Sequence, residues 1–172
     1  MKSLVFRGNG CTIFNSEGDV VYRVDNYQQK CSSKVYLMDS SGEVLFSINR
    51  KRLRIFECLE GYKWKNNSKV DKARPWFQVK KTHTVLSKDI SCSVTLKNAR
   101  NERYKIIGFE GKSTVKIIDH FSGKLLAEAV QKQSSEGVSL GEDVLTLMVE
   151  PKADQSLVMA LVTVYGLINN KL

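Results

Sequence analysis

Prolines number only two in 172 residues, and no low-complexity run interrupts the chain. That scarcity argues against a disordered tail or an interdomain linker, so residues 1–172 read as one domain. Histidines are equally few, His83 and His120, and they lie far apart in sequence. A zinc site recruits roughly three or four His, Cys or acidic ligands with at least one close pair. No such pair exists here, so no metal is expected. The cysteines, Cys11, Cys31, Cys58 and Cys92, contain no CxxC spacing and read as buried free thiols.

The common catalytic signatures are missing as well. There is no G-x-S-x-G, no P-loop and no G-x-G-x-x-G, and Gly8-Asn9-Gly10 reads as a turn. Glu17, Asp19, Asp39, Glu43 and Asp119 fall in turn segments, where solvation accounts for them. His120 sits beside Asp119 in such a turn and reads as a surface residue, and His83 in KKTHT is equally bland. The expectation is a protein that is not an enzyme and uses no cofactor.

No apolar run approaches about 18 residues, so no transmembrane span is expected. The opening MKSLVFRGNGC carries too short an apolar stretch for a signal peptide. The expected location is therefore intracellular: cytoplasmic, nuclear or peripheral to membranes. In that setting Asn66-Asn67-Ser68 matches a glycosylation acceptor only by chance.

Short alternating strand patterns fill the first 150 or so residues. Three segments repeat one design: CTIFNSEGDVVYRV (11–24), VYLMDSSGEVLFSI (35–48) and KIIDHFSGKLLAEA (116–129). In each, an apolar run ends at Asn15, Asp39 or Asp119, and a glycine (Gly18, Gly42 or Gly123) precedes the next run. The Asx side chain bonds its own downstream backbone and the glycine supplies positive φ, so each segment reads as a hairpin. Further strands are expected at 53–60, 76–81, 91–96, 104–109 and 144–149, and 63–74 reads as a mobile basic loop. After Pro151, with Asp154 or Ser156 as N-cap, Ser156–Asn169 (SLVMALVTVYGLIN) is apolar on every side. Such a helix must be enclosed, and about twelve strands closed on themselves leave a lumen too wide for wall side chains alone. The expected fold is mainly β, a closed antiparallel barrel of about twelve strands around a central C-terminal α-helix.

TIFNSEGDVVYRVDNY (12–27), VYLMDSSGEVLFSINRKRL (35–53), KIIDHFSGKLLAEAVQK (116–132) and VEPKADQSLVMALVTVYGLI (149–168) resemble the plant LURP-one-related proteins. That family belongs to the tubby C-terminal-like superfamily, related to phospholipid scramblases. The resemblance implies a twelve-stranded barrel threaded by its C-terminal helix. It also implies kinship with tubby domains, which bind phosphoinositide head groups through exterior basic residues, and with family members associated with plant defence.

Net charge is +9 and unevenly spread. Between Arg50 and Lys81, eleven Lys or Arg face three acids, a surplus of +8, whereas the remainder carries only +1. Alternation in an extended strand puts Arg50, Arg52 and Arg54 on one face. With Leu53 and Ile55 turned to the core, those guanidiniums would form an exterior phosphate-binding stripe. Lys51, Lys80 and Lys81, with the 63–74 loop and Trp64, would extend it. The bland alternative is a solvated basic face that only keeps the protein soluble. The expected partners are an anionic membrane lipid or, alternatively, proteins in defence signalling. Nucleic acid is disfavoured, because Trp64, Trp76 and Phe77 are too few to form a stacking platform.

Overall fold

A computed structural model describes residues 2–7, 10–29, 32–52, 57–66, 68–70, 73–82, 89–97, 102–109, 114–133, 141 and 144–169. The first strands are β1 (Lys2–Arg7), β2 (Gly10–Phe14), β3 (Val20–Gln29), β4 (Ser32–Asp39), β5 (Val44–Arg52) and β6 (Glu57–Lys65). Next come the two-residue β7 (Ser68–Lys69), β8 (Phe77–Thr82), β9 (Ile90–Leu96) and β10 (Arg103–Phe109). The chain ends with β11 (Thr114–Asp119), β12 (Leu125–Gln131), β13 (Val144–Val149) and the helix α1 (Gln155–Ile168).

All pairings are antiparallel. From β6 they run through β5, β4, β3, β2, β1, β13, β12, β11, β10, β9 and β8, and β8 pairs back onto β6. Every strand of this ring has a partner on both sides, which removes the exposed edges that invite aggregation. Among the described strands only β7 stands outside the ring, folded back on the end of β6 through Trp64↔Lys69 and Lys65↔Ser68. The stretch expected as a mobile loop from residue 63 is thus corrected at its start. Lys63–Lys65 continue β6, because alternation carries Tyr62 and Trp64 onto one face where both find partners.

The three repeated segments form hairpins of one construction. Asn15 Oδ1 accepts from the Glu17 and Asp19 amides, and Asp39 Oδ1 from those of Ser41 and Glu43. Asp119 Oδ1 accepts from the Phe121 and Ser122 amides. Gly18, Gly42 and Gly123 have φ of 94°, 86° and 67°, which an L side chain rarely adopts. A register shift sits beside each turn, at 13/14, 37/38 and 117/118. Antiparallel alternation brings all three turns to the mouth of the ring at which α1 begins.

The helix fills the lumen. Eleven of its fourteen residues are buried and they lie on all sides of the axis, so strands must surround it. Leu4, Ile13, Leu37, Ile48, Ile106 and Leu147, from six different strands, share one core cluster with Met159 and Leu161. Burying each such side chain contributes about 1.5–3 kcal/mol. Two glycines make room. Phe77 lies over Gly61, and the Tyr165 ring lies against Gly108, so a Cβ at either position would collide with an aromatic ring. Thr163 is buried without penalty, because its hydroxyl donates to Met159 O at 2.8 Å.

Both helix ends are met by charge of the complementary sign. At the start, Asp154 Oδ1 accepts from the amides of Ser156 (3.0 Å) and Leu157 (3.1 Å), as an N-cap should. Burial alone would raise this carboxyl's pKa. The Ser156 hydroxyl, the Leu157 amide and the nearby Lys63 charge outweigh it and hold the pKa below the usual range. At the far end no basic residue lies in the last turn. The cation comes instead from β5, where the Arg50 guanidinium donates to Leu167 O at 2.6 Å.

Candidate functional site

Of the eleven bases between residues 50 and 81, seven (Arg50, Lys51, Arg52, Lys63, Lys65, Lys80 and Lys81) lie on the wall made by β5, β6 and β8. Strand alternation divides that wall into two faces. Phe46 and Ile48 on β5, Leu59 on β6, and Phe77 and Val79 on β8 all turn into the lumen. Arg50 lies in register with Leu59 and Val79, on this inner face. The expected exterior position of Arg50 is therefore corrected: its parity matches Phe46 and Ile48, and its guanidinium is engaged on the helix end. Lys81 is opposite Cys92, a fully buried core residue, and so belongs to the inner side as well. Of Arg52 only the backbone is described, paired with Glu57. Arg54, Leu53 and Ile55 lie outside the described residues, as do Cys31 and His83.

Lys51 and Lys80 do face outward, aligned across Cys58. The six expected residues thus do not form one stripe. Lys51 is moreover committed to a carboxylate. Glu60, only 5% exposed, receives Lys51 Nζ at 2.9 Å, the Tyr62 hydroxyl at 2.9 Å and the Gln78 amide at 3.0 Å. Burial pushes the Glu60 pKa up, but these three donors prevail and leave it lowered. The Glu60 hydrogen bond and charge raise the pKa of the Lys51 ammonium in turn. With Cys11 and Cys92, Cys58 is a buried free thiol, and burial raises its pKa, so it is not poised as a nucleophile.

The outer face holds two further cations. Lys34 stands opposite Asn49 on β5, which stands opposite Glu60 on β6. The β6–β7 fold-back lays Lys69 Nζ over the Tyr62 ring, 4.2 Å from its centroid. Burial, followed by the Lys34 charge, lowers the Lys69 pKa. Neither lysine forms an ion pair with a carboxylate among the described residues. Trp64 completes the surface, donating from Nε1 to Ser47 Oγ at 2.9 Å and meeting Tyr36 edge-on. Among the described residues, Lys34, Lys69 and Lys80 are the cations of this outer face that form no ion pair with a carboxylate. Lys34 was readable in principle, since alternation past Val35 and Leu37 turns it outward with Tyr36. Lys69 was not, because its place depends on β7 folding back.

Among the described residues no group of His, Cys, Asp or Glu is arranged to hold a metal ion. His120 is exposed in the third hairpin, edge-on to Phe121. No helix among the described residues is long and apolar enough to cross a membrane.

A family model described as LURP-one-related matches residues 1–166. Protein LURP-one-related 11 of Arabidopsis thaliana is 42% identical over 98% of this chain and 75% of its own length. Protein LURP-one-related 4 of the same plant is 42% identical with the same coverage, and LURP-one-related 8 is 32% identical over 93% of the chain and 80% of its own. An X-ray structure of an Arabidopsis thaliana protein superposes with a TM-score of 0.68, covering 98% of this chain and 90% of that one. At 16% identity that likeness speaks for the fold alone. None of these descriptions names an enzymatic activity, a ligand or a partner. The chain belongs to the LURP-one-related family.

Proposed function

We propose that the protein is a non-enzymatic binding module that docks on anionic phospholipid, phosphoinositides included, through the outer face of its β4–β5–β6–β8 wall. The observation that carries this reading is the pair Lys34 and Lys69. The Lys69 ammonium lies 4.2 Å from the Tyr62 ring centroid, and burial followed by the Lys34 charge lowers its pKa. A bound phosphate relieves the repulsion from Lys34, and Lys80 on the same face adds a third positive charge. Each base near an anionic surface contributes about 1 kcal/mol, so the docking is weak, additive and salt-sensitive.

Sedimentation with phosphatidylcholine vesicles, with and without phosphatidylserine or a phosphoinositide, tests it. Wild type should pellet only with the anionic vesicles, and Lys34→Glu/Lys69→Glu should weaken that binding at least about tenfold. Equal binding by wild type and the double variant would overturn the reading. A protein-interaction scaffold, as in defence signalling, is the second reading. It is favoured by Phe121, 74% exposed at a hairpin tip, and it predicts partners that stay bound at high salt.

A further inference from the structure

The helix does not fill the lumen at the mouth where it begins. A recess of about 440 Å³ opens there, beside the third hairpin. Small-molecule sites commonly measure about 300–1,000 Å³. A dry cavity of about 150 Å³ accommodates benzene, so this recess has room for a fused or caged ring system. Buried Leu157 of α1 lies at its floor. Trp76, Tyr104, Leu125, Leu126 and Ala153 surround that floor, each only half-buried. Of these, Trp76, Tyr104, Leu126 and Ala153 also pack on the core cluster, so the walls are held in place before any ligand arrives. Their remaining surface is apolar, concave and wet. Covering it is favourable by about 25 cal/mol per Å².

The charged groups of the recess carry both signs, and the carboxylates deepest in the fold have work of their own. Glu102 receives the Tyr104 hydroxyl at 3.1 Å. Burial and then the Glu102 charge push the Tyr104 pKa up to about 12, so the phenol stays protonated in that bond. Asp119 Oδ1 accepts from the Phe121 and Ser122 amides of its turn. Asp154 Oδ1 accepts from the Ser156 and Leu157 amides, which closes the helix start to an anion, and the Lys63 charge acts on the same carboxyl. At the rim, exposed Glu150 shares the lining with exposed Lys124 and Lys152. An ion of either sign therefore meets charge of its own sign on the way in. It also gives up its water, which is costly without a dedicated partner. An uncharged apolar body escapes both penalties.

We propose that this recess is a binding site for an uncharged small molecule built on one compact apolar ring system. The ring body covers Leu157 and lies against Trp76 and Tyr104. A hydroxyl or carbonyl on the ligand stays at the rim, among Lys124, Glu150 and Lys152. None of Lys34, Lys69 and Lys80 lines the recess, so the site is independent of membrane docking.

Calorimetric titration of the full chain with adamantanemethanol, adamantanemethylamine and adamantanecarboxylate tests it, because the three probes share one body and differ in charge. The alcohol should saturate a single site with a negative heat-capacity change. The amine and the carboxylate should each bind at least about tenfold more weakly. Ala153→Leu, which fills the recess from its wall, should weaken the alcohol at least about tenfold. Leu125→Ala, at a half-buried position, removes wall surface instead and should weaken it at least about threefold. This second variant decides the matter if the filled one does not fold. No saturation by the alcohol overturns the proposal, as does an amine or carboxylate that binds as tightly as the alcohol. Unchanged affinity in both variants overturns it too, since the probe would then sit elsewhere.

Discussion

The two ends of α1 are held by opposite means. At its start the capping group is Asp154, adjacent in sequence to the residues it caps. At its end the group is Arg50, which lies 117 positions away from Leu167 and reaches it from a strand of the wall. A local cap forms with the helix itself. A remote one exists only once the ring has closed around the helix, so the second end reports on the assembled barrel. The same contrast separates their surroundings, with the Asp154 carboxylate at one mouth and the Arg50 guanidinium turned inward at the other.

The largest expected effect comes from between the ends. Leu161→Ala removes a side chain only 1% exposed from the shared core and should cost about 2–5 kcal/mol, read as a lowered urea midpoint at constant slope. A cost below that of either end would mean that the helix is not enclosed. Next, Arg50→Met strips Leu167 O of its charged donor and should cost about 1.5–3 kcal/mol. The smallest effect belongs to the local end, where Asp154→Ala should cost about 1 kcal/mol. There the pH dependence has a fixed sign. The folded-state pKa of Asp154 lies below the unfolded value of about 3.9, so its contribution is complete above that pH and is lost as pH falls through the folded pKa. Asp154→Asn, itself a good cap, should keep most of the stability near neutral pH and abolish this acid-side slope. An unchanged acid limb in Asp154→Asn would contradict the assignment.

This contrast also explains what could be read from the chain alone. The hairpins at Asn15, Asp39 and Asp119, the cap at Asp154 and the enclosed helix are local or periodic features, and all are found where residue order places them. The family resemblance and the twelve-stranded ring follow from the same segments. The placement of the basic side chains was harder to read. The spacing of Arg50, Arg52 and Arg54 gives a common face but not which one, because parity must be counted from Phe46 and Ile48 and then tied to the lumen. Counted that way, Arg50 goes inside. The Lys51–Glu60 pair and the Lys34–Lys69 pair are cross-strand or fold-back contacts, set by register rather than by neighbours in sequence. A charge surplus marks residues 50–81 but does not say which of their cations are already engaged.

The central claim is that the basic wall has two faces: an inner one whose Arg50 guanidinium holds the helix end, and an outer one whose Lys34, Lys69 and Lys80 form no ion pair with a carboxylate among the described residues and which we propose meets the ligand. Urea unfolding of Arg50→Met beside Lys80→Met tests it most directly, since both remove one positive charge from the same wall. The account predicts a loss of about 2 kcal/mol for Arg50→Met and a change within about 0.5 kcal/mol for the exposed Lys80→Met. Equal and negligible changes in the two variants would place Arg50 on the outside and contradict it.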